Sequence, residues 1–471
     1  MKSNFVISKT LDNNKVFIID NSKLERRLDP SWYCYLRSIE QFKCKKVLLK
    51  NLLLKNPQYG ANESGIERKH IDEPRYIRIT DINDFGELDK DIGKTASKIE
   101  EKYFVEKNDL LLARSGNTVG KSYLHKDVGY QCFFAGYMIR FKIDESKALP
   151  DYVFTFTQTK IYKNWINAIQ RTTGQPNINA EEYKNLEIPL PSIEIQKKIA
   201  DTYFGFLRQK KQNEAEAEKL LASIDDYLMA ELGINFPKQP DNNLKNRMFF
   251  TSLNNISGDR FDPFYHKIDF IKTIEQIKKG KFKACPFKNI ILDLKNGVEI
   301  RDYVDDGIRY MRVTDLGKNG INNSSKKFIA HQEIPEKIKL NDDCILISRS
   351  GSLGLVNVVE NDIKNSILSS HIFKVELMTD KVYTKYLEAY FRSSLGQLQF
   401  FRKNNGGVIP EINQDALKSI IIPLPPLTKQ TEIANHISKI RQKAQSLKDH
   451  TTIALEKANK EIENILLGNK S

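Results

Sequence analysis

The chain has 471 residues, 40% hydrophobic and 10% aromatic, enough to core about two to four domains and to exclude a disordered tail. Its 74 basic against 60 acidic residues give a formal charge of +14, a balance that favours a polyanionic partner such as nucleic acid. The five cysteines Cys34, Cys44, Cys132, Cys285 and Cys344 lack CxxC spacing, which excludes a disulfide framework and a cysteine zinc site and points to a reducing, cytoplasmic setting. No run of ~18 apolar residues occurs, so no membrane partner is expected.

Taken in chain order, a short alternating segment at 6–20 precedes RRLDPSWY, whose Asp29 reads as a turn or cap residue. Short β-branched or aromatic runs at 76–79, 110–113 and 138–143 predict strands, and the longer apolar spacing of 150–169 predicts helix. IPLP, from Ile188, holds two prolines two apart and is extended by necessity. A heptad pattern follows through Ile199, Tyr203, Phe206, Leu220, Ile224 and Leu228, interrupted by Lys210 and Asn213. Gly233 and Pro237 close it, and the polar run 238–246 reads as a linker.

The second half repeats the first. RYIRITD at 75–81 returns as RYMRVTD at 309–315, an offset of 234 (309 − 75). LDP at 28–30 returns as FDP at 261–263, ARSG at 113–116 as SRSG at 348–351, and QPNIN at 175–179 as IPEIN at 409–413. IPLPSIEIQKKIA at 188–200 answers IPLPPLTKQTEIA at 422–434, and strands are expected at 308–313, 344–348 and 372–377 with helix across 380–401. The second heptad seam includes Ile433, Ile437, Ile440, Leu447 and Ile462. Each long helix spans about 35 residues, roughly 50 Å. A one-sided seam of that length needs a partner helix, so the two are expected to pack as an antiparallel coiled coil with internal pseudo-two-fold symmetry. The fold class is α+β: two similar mixed α/β modules at 1–191 and 248–425, helical regions at 192–235 and 426–471, and a linker at 236–247.

Motifs that suggest chemistry fail on inspection. GNTVGKS at 116–122 lacks the first glycine of GxxxxGK[ST], since that position is Ser115, and the repeat copy has no lysine after its second glycine. DPSW at 29–32 and DPFY at 262–265 lack the second proline of an amino-methyltransferase signature, and no glycine-rich strand-to-helix turn accompanies them. There is no HExxH, no paired histidine spacing and no repeated acid pair. No catalytic or metal residue is assigned.

What remains is a binding surface. Arg78, Thr80, Arg114, Ser115, Lys121, Arg171 and Gln175 lie at strand ends or in glycine-rich loops, as do Arg312, Thr314, Arg349, Ser350, Asn404 and Asn405. Arg forms bidentate bonds to guanine edges or phosphate, and Asn and Gln suit adenine. A purely structural role, buttressing the adjacent turn, is equally consistent for Arg114 and Arg349. Residues kept in both copies suit scaffold or phosphate contact, and specific readout belongs where the copies diverge.

The tandem R[LF]DP, [AS]RSG, [PI]xIN and IPLPxxxxQxxIA motifs, each set followed by a heptad helix, resemble the specificity subunit of type I restriction-modification systems across essentially the whole chain. The resemblance implies two target-recognition domains, each reading one half of a bipartite asymmetric target in double-stranded DNA. It implies that the helices dock two methyltransferase subunits and set the unread gap. The subunit would be non-catalytic and bind no cofactor, with S-adenosylmethionine, ATP and Mg in partner subunits that carry adenine methylation, translocation and cleavage. Alternatives are a system whose methylase and nuclease are fused in one partner, a helical scaffold, or a methyltransferase.

Overall fold

The computed structural model describes residues 18–19, 21–24, 29–40, 42–89, 92–170, 176–236, 243, 248, 250, 252, 260–331, 338–341 and 344–467, without the side chains of Lys23 and Ser38. The expected segment at 6–17, Arg171, Gln175 and most of the linker lie outside these residues. The described chain divides into two compact units: the part up to Asn213 together with Asp449 onward, and Glu214–Lys448.

In the first unit the buried runs form a four-stranded antiparallel sheet in the order Gln58–Tyr59, Met138–Lys142, Asp109–Ala113, Ser122–Leu124. Asp109–Ala113 is buried along its whole length, the pattern of a strand covered on both faces. A second sheet, Gly65–Glu67, Lys94–Ala96, Arg75–Ile77, Cys132–Phe134, pairs its last two strands in parallel. Pro150–Phe156 and Lys160–Ile169 are the helices expected from the 150–169 spacing.

The second unit repeats the plan. Ile291–Asn296, Ile372–Leu377, Cys344–Ser348 and Val356–Val358 form its four-stranded sheet. Lys327–Ile329, Ile308–Met311 and Ile367–Leu368 form a three-stranded one, again with one parallel pair. Two helices, Thr384–Arg392 and Ser394–Lys403, cover the 380–401 expectation.

Two strand expectations ran too far. Ile79 and Val313 sit in 3-10 turns, Ile79–Asp81 and Val313–Asp315, because an aspartate three positions after Arg78 and Arg312 captures the arginine backbone N–H at 2.8 and 2.7 Å. The backbone therefore turns where the apolar pattern alone continued. The cap reading of the DP pairs fits the geometry: the Asp29 carboxylate accepts from Trp32 N–H at 2.9 Å and the Asp262 carboxylate from Tyr265 N–H at 3.0 Å.

The IPLP segments are extended. Glu187–Pro189 pairs with Lys46–Leu48 and Ile421–Pro423 with Ala284–Pro286. Tyr152 and Tyr386, buried at equivalent positions, donate to the carbonyls of Pro189 and Pro423. The glutamine of each IPLPxxxxQ motif is buried as well. Gln196 accepts from Leu149 N–H and donates to Pro191 O, both at 2.9 Å, while Gln430 accepts from Tyr383 N–H and donates to Pro425 O, both at 2.8 Å. Each therefore ties the first turn of its long helix to the module before it, with its own buried amide paired on both the oxygen and the nitrogen.

The long helices are Ile193–Leu232, 40 residues, and Leu427–Leu467, 41 residues, each unbroken. Their seams merge with the cores of the modules. In the first unit Ile199, Tyr203 and Phe206 share a cluster with Tyr152, Phe154 and Trp165 and with Ala458, Ile462 and Leu466. In the second unit Ile224, Leu228, Ile433 and Ile437 join Phe373, Tyr386 and Phe391. Leu220, Ile440 and Leu447 are half-buried. The pairing is antiparallel: in the second unit Lys443 meets Glu216 at 3.4 Å, Tyr227 stacks on His436 at 4.0 Å and Lys429 meets Glu231 at 2.6 Å, one number rising as the other falls.

The polar interruption does not break the helix. Asn213 Nδ2 donates to Thr451 Oγ1 at 3.4 Å, and the Lys210 ammonium lies 4.6 Å from the Phe85 ring centre with Glu87 at 3.9 Å. Both polar seam residues are buried with partners, as a helix interior requires.

Candidate nucleic-acid interface

The [AS]RSG and [PI]xIN motifs, far apart in sequence, are neighbours in each unit. Arg114 N–H donates to Tyr137 O at 2.9 Å, Ile178 N–H to Arg114 O at 2.8 Å, and Gly116 N–H to Pro176 O at 3.0 Å. The second unit repeats this frame: Arg349 N–H to His371 O at 2.8 Å, Ile412 N–H to Arg349 O at 3.0 Å and Gly351 N–H to Pro410 O at 3.0 Å. Gly116 and Gly351 have φ of 79° and 82°, the left-handed region in which a side chain is strained, so the motif's glycine is a backbone requirement.

Upon this common frame the side chains differ. The Arg114 guanidinium lies 4.8 Å from the Tyr59 ring centre, with Nε buried and without a hydrogen-bond partner among the described residues, and Tyr137 beside it is 64% exposed. Ser115 bridges to Asn177. In the second unit Arg349 pairs with Glu411 at 2.6 Å and donates to Ser370 O at 3.3 Å, while Ser350 bridges to Glu411. Asn404 Oδ1 accepts from Glu411 N–H at 2.9 Å and Asn405 N–H donates to Glu411 O at 2.7 Å. Arg349, Ser350, Asn404 and Asn405 are thus brought together around Glu411, and Arg114 and Ser115 around Asn177. Asn296 and the exposed His371 occupy in the second unit the places of Tyr59 and Tyr137 in the first.

The other candidates stand apart from these clusters and are engaged locally. Arg78 pairs with Asp81 at 2.5 Å, and Arg312 with Asp315 at 3.4 Å and Ser325 O at 2.7 Å. Thr80 and Thr314 are exposed beside them. Lys121 donates to Ile82 O at 2.7 Å and meets Asp84 at 3.4 Å. Its glycine-rich loop joins two antiparallel strands, Asp109–Ala113 and Ser122–Leu124, and leads into no helix that could hold a phosphate. Tyr59, Tyr137, Asn296, His371 and Glu411 were not singled out from the sequence. Sliding the chain against itself by 234 residues sets Tyr137 opposite His371 and Asn177 opposite Glu411, the signal by which those could have been found; Tyr59 and Asn296 correspond only through strand register.

Among the described residues no group of His, Cys, Asp and Glu could hold a metal ion, and no helix is long and apolar enough to cross a membrane. The family model for the type I restriction modification DNA specificity domain matches residues 35–221 and 305–457. The chain is similar to the type I restriction enzyme MjaVIII specificity subunit of Methanocaldococcus jannaschii, 23% identical over 390 residues that cover 79% of this chain and 80% of that one. It is similar also to the EcoKI specificity subunit of Escherichia coli, 22% identical over 381 residues that cover 78% and 75%. A solved chain from work on complex assembly and conformational transition of the type I R-M system shares the fold, with a TM-score of 0.50 and 16% identity over 90% of this chain and 96% of that one. With the family model matching the greater part of the chain, once in each repeat, and the duplicated frame in the structure, the chain belongs to the family of type I restriction-modification DNA specificity subunits, the non-catalytic members of those systems.

Proposed function

We propose that each module, 1–191 and 248–425, reads one half of a bipartite asymmetric sequence in duplex DNA, and that the helical regions 192–235 and 426–471 dock two methyltransferase subunits. Helix length would set the unread gap, as dimer geometry sets half-site spacing in other DNA-binding proteins. Restriction and translocase subunits complete the assembly, S-adenosylmethionine, ATP and Mg serve those partners, and the complex works in the cytoplasm. The reading rests on one observation: the same backbone frame carries Arg114 with Tyr59, Tyr137 and Asn177 in one unit, and Arg349 with Asn296, His371 and Glu411 in the other. Two copies of one scaffold with different donors and acceptors suit two different half-sites. Arg171 and Gln175 of the first module, which lie outside the described residues, and Asn404 and Asn405 of the second are proposed as readers where the copies diverge, with Arg114, Ser115, Arg349 and Ser350 as the DNA contacts that both copies keep. Arg78, Thr80, Arg312 and Thr314 are proposed as phosphate contacts, because both copies keep the arginine and threonine, and Lys121 as a cationic DNA contact of the first module alone.

An electrophoretic shift assay with the cognate methyltransferase tests this, using duplexes that carry the host's methylated motifs against random duplexes. A shift confined to the methylated motifs is expected. No sequence preference in the assembled complex would leave only a scaffold, and S-adenosylmethionine binding by the chain alone would make it a methyltransferase.

A further inference from the structure

At one place the two modules part company in the chemistry of their interior. In the first unit the Phe154 ring lies 5.9 Å from Tyr203 and 6.0 Å from Phe204, Leu207 belongs to the same buried cluster, and Gln158, four residues on from Phe154, is buried. Adding 234 to these positions gives Glu388, Ile437, Ser438, Arg441 and Arg392. The aromatic plug of one unit is a charged cavity of about 280 Å³ in the other. Glu388 sits on its wall between two guanidiniums, with Arg392 at 2.8 Å and Arg441 at 3.8 Å. Arg392 is held rigidly, donating from Nε to Val356 O at 2.7 Å and from Nη2 to Asn357 Oδ1 at 2.8 Å. Lys385 and Lys448 stand at the exposed rim, with Glu360 as the other carboxylate, so four cations line the cavity against two anions.

Burying charge costs free energy that apolar packing does not, and the first unit shows that this fold is complete with rings in the same place. Burial lowers the proton affinity of Arg392, to about 10, and of Arg441. For Arg392 the Glu388 carboxylate opposes the effect and the neighbouring Arg441 adds to it. One carboxylate shared by two guanidiniums leaves positive charge facing a space large enough for a small ion, and Arg presents planar paired donors to tetrahedral oxyanions.

We propose that this cavity is an oxyanion site of the second unit, taking a phosphate group against Arg441 and Arg392, supplied either by a free phosphate ion or by the DNA backbone. The test follows thermal unfolding of the full chain as inorganic phosphate is titrated against chloride at matched ionic strength. Phosphate raises the midpoint of the native chain, by the linkage of a ligand that binds only the folded state. Arg441→Leu, which installs the side chain of the first unit, abolishes that rise, Arg441→Lys keeps part of it, and the exposed-site control Lys439→Ala keeps all of it. An equal rise in Arg441→Leu, or no rise in the native chain, overturns the site. The source is then separated on duplex DNA with the assembled complex. If Arg441→Leu lowers the slope of log affinity against log salt by about one, the site takes a backbone phosphate; an unchanged slope assigns it to the free ion. The phosphate titration needs no DNA, so its outcome is independent of the sequence-reading proposal.

Discussion

An arginine at the end of a buried strand takes its role from the residue across the bridge. The guanidinium of Arg114 lies over Tyr59 while its neighbour Ser115 bridges to the neutral Asn177, whereas Arg349 is held by Glu411 at 2.6 Å and must leave that carboxylate to contact DNA. Arg114→Ala is therefore expected to weaken DNA binding by the complex at least about fivefold, roughly 1–3 kcal/mol, with assembly intact. Arg349→Ala should cost less, and Glu411→Gln should strengthen binding. Affinities measured on one duplex decide this, and unfolding of Arg114→Ala would assign that residue to the scaffold instead. At Arg78 and Arg312 the signal of the local partner stands in the sequence, an aspartate three positions on in both copies, but the strand reading passes over it. A second residue-scale expectation concerns pH. His125 is buried, its Nδ1 3.0 Å from the Tyr123 hydroxyl, and burial lowers its proton affinity. A depressed histidine contributes stability that is present above its unfolded value of about 6.5 and is lost as pH falls through the lower folded one. The unfolding midpoint of the first unit should drop between about pH 7 and pH 5, and His125→Phe should flatten that dependence.

The long helices show how a correct period can mislead about purpose. Heptad spacing located both, yet the buried seam belongs mostly to module cores, so Ile437→Asp would place a charge at a site only 1% exposed, between the helix and Phe373, Tyr386 and Phe391. That substitution is expected to unfold the second unit, by several kcal/mol, rather than merely to block a partner. The informative change is on the outer face. Ile453 is 61% exposed on the second long helix. Ile453→Glu should leave folding unchanged and reduce co-purification with the methyltransferase; full recovery of the partner would place docking elsewhere. Lys210 and Asn213 leave the continuity of the first helix open because sequence displays polarity and not partners. Phe85, Glu87 and Thr451, which satisfy them, lie 125, 123 and 238 residues away (210 − 85, 210 − 87 and 451 − 213).

For the whole molecule, duplication is the governing fact, and it predicts separable halves. Exchanging residues 20–190 for the equivalent domain of another family member should change one half of the methylated sequence and leave the other, as read by methylome sequencing. Such a graft sets Ala458, Ile462 and Leu466 against a foreign core, so poor folding should be rescued by matching those three positions. Sequence alone determined the repeat, the extended prolines, the two helices and the family, since period, proline and heptad spacing are properties of neighbours along a chain. It could not show that Gln196 and Gln430 brace the helix starts, that Glu411 holds Arg349, or that Phe154 and Glu388 make the same place an aromatic plug in one unit and a charged cavity in the other. Those outcomes depend on groups brought together only when the chain folds. Burial, and not order along the backbone, decides whether a polar residue is paired, strained or available to a ligand.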